Sequence, residues 1–375
     1  MIKIMTPGPT QVRENVRLAR AEIAANPDLD PVFYDFYRDT CGMLSRFFNT
    51  ENEFFILSGE GILGLEAACA SLTEPHARVL VIDNGIFGRG FADFVSIYGG
   101  EPYLYSVDPK KPVNPDALDE FLGKDDDFTY ATLVHCDTPS GVLNNVEALC
   151  AVLKKHNILT VVDTVSASFG TPLNAGICGI DVLCGASQKA LSAPIGLTFL
   201  GVSAQALAFM RGRATPIASF YMNILNYCGY YEKKWFPYSM PASDIMGLRA
   251  ALENVEADSK IFVRHEKIAS ACRNALQRAG LTLYLESGFS PTITAFNVPD
   301  GLTDTAILDA MVRDHGIMLA GCFDVLAGRV IRIGHMGENA NVTDMSETMG
   351  ALHSVLVNLG FNAKCNMKDA FNAAL

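Results

Sequence analysis

From residue 54 onward, the sequence alternates short apolar runs with stretches of helical periodicity. Short runs that are apolar throughout are typical of strands buried on both faces of a sheet. Helices between consecutive strands provide the crossover connections that parallel strands need. The pattern therefore predicts an α/β fold with a mainly parallel, seven-stranded sheet. The predicted strands are residues 54–57, 79–83, 103–107, 131–136, 159–163, 182–185 and 197–201.

The pattern changes near residue 242, where a second, smaller α+β domain is expected. We predict a large domain at residues 15–245, a small C-terminal domain at 246–375, and an N-terminal segment, 1–14, that packs with the small domain near the functional site. Residues 211–241 have no clear period and are interpreted as a long irregular connection. The elements predicted after it are a helical stretch at 242–279, a strand at 292–297, a helix at 303–315, a strand at 330–333 and a helix at 342–359.

Composition argues against several classes of protein. The 375 residues carry a net charge of −12 and no run of Lys and Arg, so neither nucleic acid nor a membrane surface is an expected partner. We find no signal-peptide pattern and no apolar stretch of about 18 residues. The ten cysteines are scattered without a C-x-x-C pair, which argues against a metal site and favours a reducing, cytoplasmic location.

Residues 59–64 (GEGILG) match the pattern G-x-G-x-x-G between a predicted strand and a predicted helix, and Asp83 ends the next strand. That arrangement is typical of dinucleotide-binding sites, so an NAD-dependent oxidoreductase is one alternative. A more general property of such turns is that their backbone N–H groups, at the N-terminus of a helix, bind phosphate. A tight turn that simply needs glycines is the remaining interpretation.

Four short, unusual segments lie at the ends of predicted strands, and the carboxyl ends of strands in an open parallel sheet share one crevice. Asp163 and Lys189, which are separated by one helix–strand unit, are therefore expected to face each other across a ligand. The four segments are 135–141 (HCDTPSG), 161–166 (VVDTVS), 186–191 (ASQKAL) and 332–337 (RIGHMG).

With these segments, the sequence resembles the class V aminotransferases of the pyridoxal 5′-phosphate (PLP) enzymes of fold type I. It is most similar to the alanine–glyoxylate and serine–pyruvate aminotransferase group. The similarity runs from residues 6–10 (TPGPT) to 332–334 (RIG), and residues 187–191 (SQKAL) are its most specific part. The resemblance implies a homodimer whose sites are completed by the partner chain. It also implies ping-pong transfer of an amino group from alanine or serine to a small 2-oxo acid, glyoxylate or pyruvate.

The resemblance implies a role for each residue of the site. Lys189 is the Schiff-base lysine and carries the proton at the substrate Cα, so its amine must be neutral. Asp163 pairs with the pyridinium nitrogen and keeps the ring an electron sink. Arg332 clamps the substrate carboxylate with its two-pronged guanidinium. The other implied contacts are ring stacking by Phe87, ring packing by Val165, a hydroxyl from Thr138, phosphate binding by Gly61, Ile62 and Gln188, and close backbone approach to the substrate at Gly8.

Several positions depart from the family pattern. Glu60 replaces a small residue beside the phosphate, and its carboxylate repels a phosphate dianion unless it points away or is protonated. Phe236 stands where a tyrosine of the partner chain often reaches the phosphate, while Ser239 can still supply the neighbouring hydroxyl. Asp137 replaces the commoner Glu, and Pro139 replaces a hydroxyl residue.

Two further alternatives share the fold. A 2-aminoethylphosphonate–pyruvate transaminase is a near relative, and residues 26–28 (NPD) slightly favour it. A cysteine desulfurase needs a mobile nucleophilic cysteine before the substrate arginine, and Cys322 is the candidate. The desulfurase is disfavoured because Thr138 or Phe87 stands where such enzymes carry a histidine beside the ring. A protein that only binds or regulates is disfavoured because Lys189, Asp163 and Arg332 are all present.

Overall fold

The computed structural model describes residues 2–22 and 26–375. Within them, the strands are β1 (Lys3–Ile4), β2 (Glu53–Ser58), β3 (Arg78–Asp83), β4 (Glu101–Ser106), β5 (Tyr130–Val134), β6 (Leu159–Asp163), β7 (Val182–Ala186), β8 (Leu197–Val202), β9 (Ile293–Asn297), β10 (Ile317–Met318) and β11 (Val330–Gly334).

The helices of the same residues are α1 (Glu14–Ala21), α2 (Pro31–Phe47), α3 (Gly61–Leu72), α4 (Ile86–Ile97), α5 (Pro115–Leu122), α6 (Val146–Lys155), α7 (Ala175–Cys178), α8 (Ala204–Arg211), α9 (Tyr230–Lys233), α10 (Ala242–Glu256), α11 (Ile261–Ala279), α12 (Asp304–His315), α13 (Val342–Asn358) and α14 (Met367–Asn372). Short 3₁₀ helices lie at Ile224–Tyr227, Asp324–Leu326 and Gly337–Asn339.

The main sheet of the described chain has seven strands in the order β2-β8-β7-β6-β5-β3-β4. Neighbouring strands are parallel except around β8, which is antiparallel to both β2 and β7. A segment of turns, residues 187–196, joins β7 to β8, and so short a connection leaves adjacent strands antiparallel. The predicted α/β fold with a mainly parallel sheet is confirmed. Lys189 lies in the turns that precede the reversed strand β8.

The sheet is covered on both faces, as its apolar strands predict. Along β6, Val161 packs into a cluster with α3 and α4, whereas Val162 packs into a cluster with α2, α6 and α10. Both valines are fully buried. Burying a Val or Leu side chain contributes about 1.5–3 kcal/mol, so the two layers of helices hold the strand ends in fixed positions.

A second core lies in the C-terminal part of the chain, where α11–α14 cover the antiparallel pair β9–β11. The N-terminal strand belongs to this part, because Lys3 in β1 is paired with Ile317 in β10 and Met5 is buried in the same core. The domain division between residues 245 and 246 falls inside α10 and stays a prediction.

The predicted helical stretch at 242–279 is two helices. The break falls between α10 and α11, where the Asp258 carboxylate accepts a hydrogen bond from the backbone N–H of Lys260 at 3.1 Å. Such a local side-chain bond competes with the helix for backbone partners, and Asp258 also forms an ion pair with Arg264. The connection at 211–241 is largely irregular but holds α9 and a 3₁₀ turn.

Two expectations from composition concern the whole chain. Among residues 2–22 and 26–375, no helix combines the length and the apolar character needed to cross a bilayer. The ten cysteines, all within the described ranges, are free thiols, and most of them are buried. A buried thiol packs as a small apolar group, which accounts for their scattered positions.

Candidate active site

The carboxyl ends of β2, β5, β6 and β7 border a cavity of about 330 Å³. The residues predicted for the site line this cavity, apart from Arg332 and Ser239. The predicted residues that line it are Gly8, Gly61, Ile62, Phe87, Thr138, Asp163, Val165, Gln188 and Lys189. Their placement follows from the strand ends, and their roles stay predictions.

Lys189 lies in the turns between β7 and β8, and its Nζ donates a hydrogen bond of 2.7 Å to the carbonyl oxygen of Pro7. Removal from bulk water, together with the nearby positive charge of Arg332, lowers the pKa of Lys189 to about 8. A lysine with this pKa is neutral in roughly a tenth of the molecules at pH 7, far more often than a lysine with the ordinary pKa. The amine can therefore act as a nucleophile and as a proton acceptor.

Asp163 is the last residue of β6, and 4 % of its surface is exposed. Its Oδ1 accepts a hydrogen bond of 2.8 Å from the backbone N–H of Val165. Burial raises the pKa of Asp163 to about 7. A cationic N–H group in the cavity would favour the ionised carboxylate and lower that pKa, so Asp163 is suited to pair with a protonated ring nitrogen.

Glu60 points toward the predicted phosphate donors. It is the N-cap of α3, where its Oε1 accepts from the backbone N–H of Ile62 at 3.2 Å. Its Oε2 accepts from the side-chain amide of Gln188 at 2.8 Å. Both groups were predicted, together with Gly61, to bind a phosphate, so the carboxylate occupies two of the three predicted donor positions.

The glycines of the G-x-G-x-x-G match serve close packing. A Cβ atom on Gly64 would lie 2.3 Å from the Thr198 hydroxyl oxygen, so only glycine lets α3 approach the sheet at this point. Asp83, the acidic residue of the dinucleotide pattern, instead accepts hydrogen bonds from Arg89 and Ser106 and lines a different cavity. The structure therefore favours the packing interpretation over an NAD site.

Phe87 and Val165 are the apolar walls of the cavity. The buried Asp137 fixes the Phe87 backbone, because its Oδ1 accepts from the Phe87 N–H at 3.0 Å. The ring of Phe87 meets the ring of Phe323 edge-on, with 6.1 Å between centroids. Thr138 also lines the cavity and shares a hydrogen bond between hydroxyl groups with Ser166. A flat ring between two apolar walls is the ligand that such a slot fits.

Arg332 lies on β11 and does not line the cavity, and 8 % of its surface is exposed. Its Nε and Nη2 donate to the carbonyl oxygen of Gly321 at 2.9 and 2.6 Å, and its Nη1 is 3.4 Å from the carbonyl oxygen of Thr138. Its guanidinium also lies over the Phe323 ring. These partners are neutral, so the positive charge remains available to a substrate carboxylate.

Ser239 and Phe236 lie away from the cavity of their own chain. Ser239 is exposed, and its hydroxyl donates to the Asp28 carboxylate at 2.6 Å. Phe236 is buried and stacks on Tyr34, with 4.9 Å between ring centroids. The hydroxyl role given to Ser239 concerns the partner chain's site and stays a prediction.

Several contributors to the site were missed in the sequence, among them Pro9 and Leu65, which line the cavity. The carbonyl of Pro7 holds Lys189, Ile195 lines the cavity, and Phe323 covers both Phe87 and Arg332. The Pro-Gly-Pro turn was a usable signal for Pro7. Ile195 and Phe323 gave none, because an apolar side chain at a site looks like any core residue until the tertiary structure places it.

Cys322 does not have the properties of a desulfurase nucleophile. Burial raises the pKa of its thiol, although Arg332 opposes this effect. Its Sγ is 3.8 Å from the carbonyl oxygen of Pro139. Reactive cysteines need the opposite environment, one that stabilises the thiolate.

The chain is similar to known proteins over most of its length. Residues 103–322 match the family model described as Aminotransferase class-V. The chain is 31 % identical to the pyridoxamine–pyruvate transaminase of Mesorhizobium japonicum, over 84 % of this chain and 81 % of that protein. It is 29 % identical to the alanine–glyoxylate aminotransferase of Callithrix jacchus, over 82 % and 77 %. The crystal structure of pyridoxamine–pyruvate aminotransferase from Mesorhizobium loti superposes with a TM-score of 0.95 at 29 % identity, over 100 % of this chain and 96 % of that chain.

The fold, with a lysine of lowered pKa and a buried aspartate at neighbouring strand ends, is that of the PLP-dependent enzymes of fold type I. The chain belongs to the class V aminotransferase family. Its activity is therefore that of an aminotransferase, and PLP is the cofactor of this family, as the sequence predicted.

The cavity fits the two ends of PLP differently. The ring end fits, because a carboxylate, two apolar walls and a lysine surround one slot. At the phosphate end the donors are present, but the Ile62 N–H and the Gln188 amide are bonded to Glu60. The buried Oε1 of Gln188 has no hydrogen-bond partner within the described residues. A phosphate can use these donors only after Glu60 leaves them.

Proposed function

We propose that the chain transfers an amino group from a small amino acid, alanine or serine, to a small 2-oxo acid, glyoxylate or pyruvate. The observation that carries this proposal is that the buried Arg332 guanidinium lies close enough to the Lys189 amine for its positive charge to lower the pKa of that amine. A guanidinium near the reacting amine suits a substrate with a carboxylate beside its amino group. The acceptors named for the two relatives, pyruvate and glyoxylate, are also small 2-oxo acids.

Lys189 performs the proton transfer. Its neutral Nζ accepts the proton from the substrate Cα and donates it to C4′, the carbon on the other side of the transferred nitrogen. When bound, PLP supplies an electron sink for the pair left behind on Cα. Asp163 maintains that sink, because its carboxylate holds a proton on the ring nitrogen. Arg332 orients the Cα–H bond by gripping the carboxylate with two parallel N–H groups.

The proposal includes a homodimer in the cytoplasm. Phe220, Tyr221 and Trp235, in the irregular connection, have 56, 55 and 47 % of their surfaces exposed. Large exposed aromatic side chains close together in the sequence are typical of an interface. The free thiols suit a reducing compartment. Sedimentation of the purified protein tests the dimer, and a monomer at micromolar concentration would contradict it.

A matrix of amino donors and 2-oxo acceptors, assayed with the purified PLP-loaded protein, tests the reaction. Alanine or serine with glyoxylate or pyruvate should give the highest kcat/KM. Lys189→Ala should abolish turnover, whereas replacement of the exposed Lys124 by Ala should not. If 2-aminoethylphosphonate with pyruvate proves the better pair, the substrate proposal is wrong. Transamination by Lys189→Ala would overturn the mechanism as well.

A further inference from the structure

We propose that Glu60 acts as an internal anion in the phosphate subsite, so that the cavity also takes pyridoxal and pyridoxamine, which lack the phosphate, and uses pyridoxamine as an amino donor. The inference rests on the proposed function for the lysine chemistry and for the 2-oxo acceptor. It adds a second class of ligand to the same cavity.

The geometry at the start of α3 supports this assignment. One carboxylate oxygen of Glu60 caps the Ile62 N–H, and the other accepts from the Gln188 amide on the far side of the subsite. The first contact is local, whereas the second joins residues 128 apart in the sequence. The carboxylate therefore bridges two walls of the subsite, as an anionic ligand would.

The charge of Glu60 makes the phosphate subsite favour ligands without a phosphate. The N-terminus of α3 favours an anion, and Glu60 already provides one. A bound phosphate would bring about −1.5 to −2 further charges close to the carboxylate, and like charges repel strongly where water is excluded. A ligand with a neutral hydroxymethyl group at that position avoids the repulsion and can donate a hydrogen bond to Glu60. The unphosphorylated ring therefore needs no movement of Glu60, whereas PLP does.

The ring end of the cavity does not distinguish the two ligands. The ring, its nitrogen and its C4′ substituent are the same with and without the phosphate. They would be contacted by the lining residues Phe87, Val165, Asp163 and Lys189. Lys189 can therefore react with the aldehyde of pyridoxal, forming a C=N bond as the aldehyde oxygen leaves as water. Selectivity between the two ligands is concentrated at Glu60.

The amino transfer balances without another reactant. In pyridoxamine the C4′–N bond breaks, and in the 2-oxo acid a C2–N bond forms. The C4′ carbon is oxidised by two electrons to the aldehyde, and C2 is reduced by the same two electrons. With pyruvate, the products are pyridoxal and alanine, and the oxygen atoms exchange through water.

The test is a binding titration of the apo protein with pyridoxal and with PLP, followed by visible absorption. The variants are Glu60→Ser, which keeps a side chain that caps helices, and Glu60→Gln, which removes the charge and keeps the size. Replacement of the exposed Glu51 by Ser is the matched control. Thermal unfolding of each apo variant checks that it is folded.

We expect the wild type and Glu51→Ser to bind pyridoxal at least as tightly as PLP. Glu60→Ser should strengthen PLP binding by about 10- to 150-fold, the range for one charge-assisted contact, while pyridoxal binding stays the same or weakens. Glu60→Gln should shift the ratio in the same direction. Tighter binding of PLP than of pyridoxal by the wild type, or the same ratio in Glu60→Ser, would overturn the inference.

A single-turnover assay completes the test. The wild-type apo protein, mixed with pyridoxamine and pyruvate, should release alanine and pyridoxal. Binding that favours pyridoxal without alanine formation would contradict the donor role of pyridoxamine. The proposed function fails separately, through the absence of amino-acid turnover by the PLP-loaded enzyme, and so the two failures are distinguishable.

Discussion

The Nζ of Lys189 donates a hydrogen bond of 2.7 Å to the carbonyl oxygen of Pro7, although 182 residues separate them in the sequence. The neighbouring Gly8 has a φ of 89° and lies against the lysine side chain. The N-terminal segment thus positions the amine that carries out the chemistry. The lysine is held from one side by the turn after β7 and from the other by this segment.

Gly8→Ala should impair activity through Lys189. The new Cβ atom would lie 2.4 Å from the lysine Cδ, so the lysine side chain must move. An alanine also adopts the φ of residue 8 less readily than glycine does. A displaced reacting group of this kind costs about 100-fold in rate. The measurement is kcat for the alanine half-reaction, together with the thermal midpoint.

Gly301→Ala is the matched control for that substitution. Gly301 has a φ of 80°, and a Cβ atom there would meet no atom of residues 2–22 and 26–375 within 4 Å. Both variants therefore carry similar backbone strain, but only the change at Gly8 touches the lysine. Equal loss of activity in the two variants would show that the lysine contact is unimportant.

The reaction of the apo protein with PLP should accelerate as pH rises through about 8. The pKa of Lys189 is lowered to about 8, and only the neutral amine attacks the aldehyde, so the rate should be low below that pH and level off above it. In Arg332→Gln, loss of the nearby positive charge should raise the pKa and move the midpoint to higher pH. Replacement of the exposed Arg329 by Gln should leave it in place. A midpoint near the ordinary lysine pKa in the wild type would contradict this prediction.

Asp163→Asn should retain the ligand but slow the half-reaction by roughly 100-fold or more, because an amide cannot hold the ring nitrogen protonated. Stopped-flow absorption with alanine measures the rate. Asp181→Asn is the control, since Asp181 is also buried in the sheet but bonds Thr160 and Ser203 outside the cavity. It should lower the thermal midpoint and leave the rate nearly unchanged. A near-normal rate in Asp163→Asn would reduce Asp163 to a structural residue.

Arg332→Lys should weaken every amino-acid donor by about 10- to 150-fold in kcat/KM and leave the cofactor spectrum intact. Lysine is a point charge and cannot form two parallel hydrogen bonds with a carboxylate. The same variant is assayed with 2-aminoethylphosphonate, and Arg329→Lys is the surface control. If no donor is affected, the carboxylate is bound elsewhere.

The sequence alone determined the α/β fold class and the strands of the large sheet, whereas the strand order and the reversed direction of β8 came from the tertiary structure. Apolar runs such as 159–163 were predicted to be buried strands, because a short run that is apolar almost throughout is typical of a strand covered on both faces. The positions of Asp163 and Lys189 followed, since parallel strands present their carboxyl ends at one edge. Local patterns of this kind do not depend on distant contacts.

Contacts between distant segments were decided only by the tertiary structure. Gly64 fits a dinucleotide pattern in the sequence, but its contact with Thr198 shows that packing requires the glycine. Glu60 was recognised as unusual in the sequence. The direction of its carboxylate, however, depends on Gln188, which lies in the turn after β7. A side chain's orientation depends on partners that fold against it, and the sequence around Glu60 does not contain them.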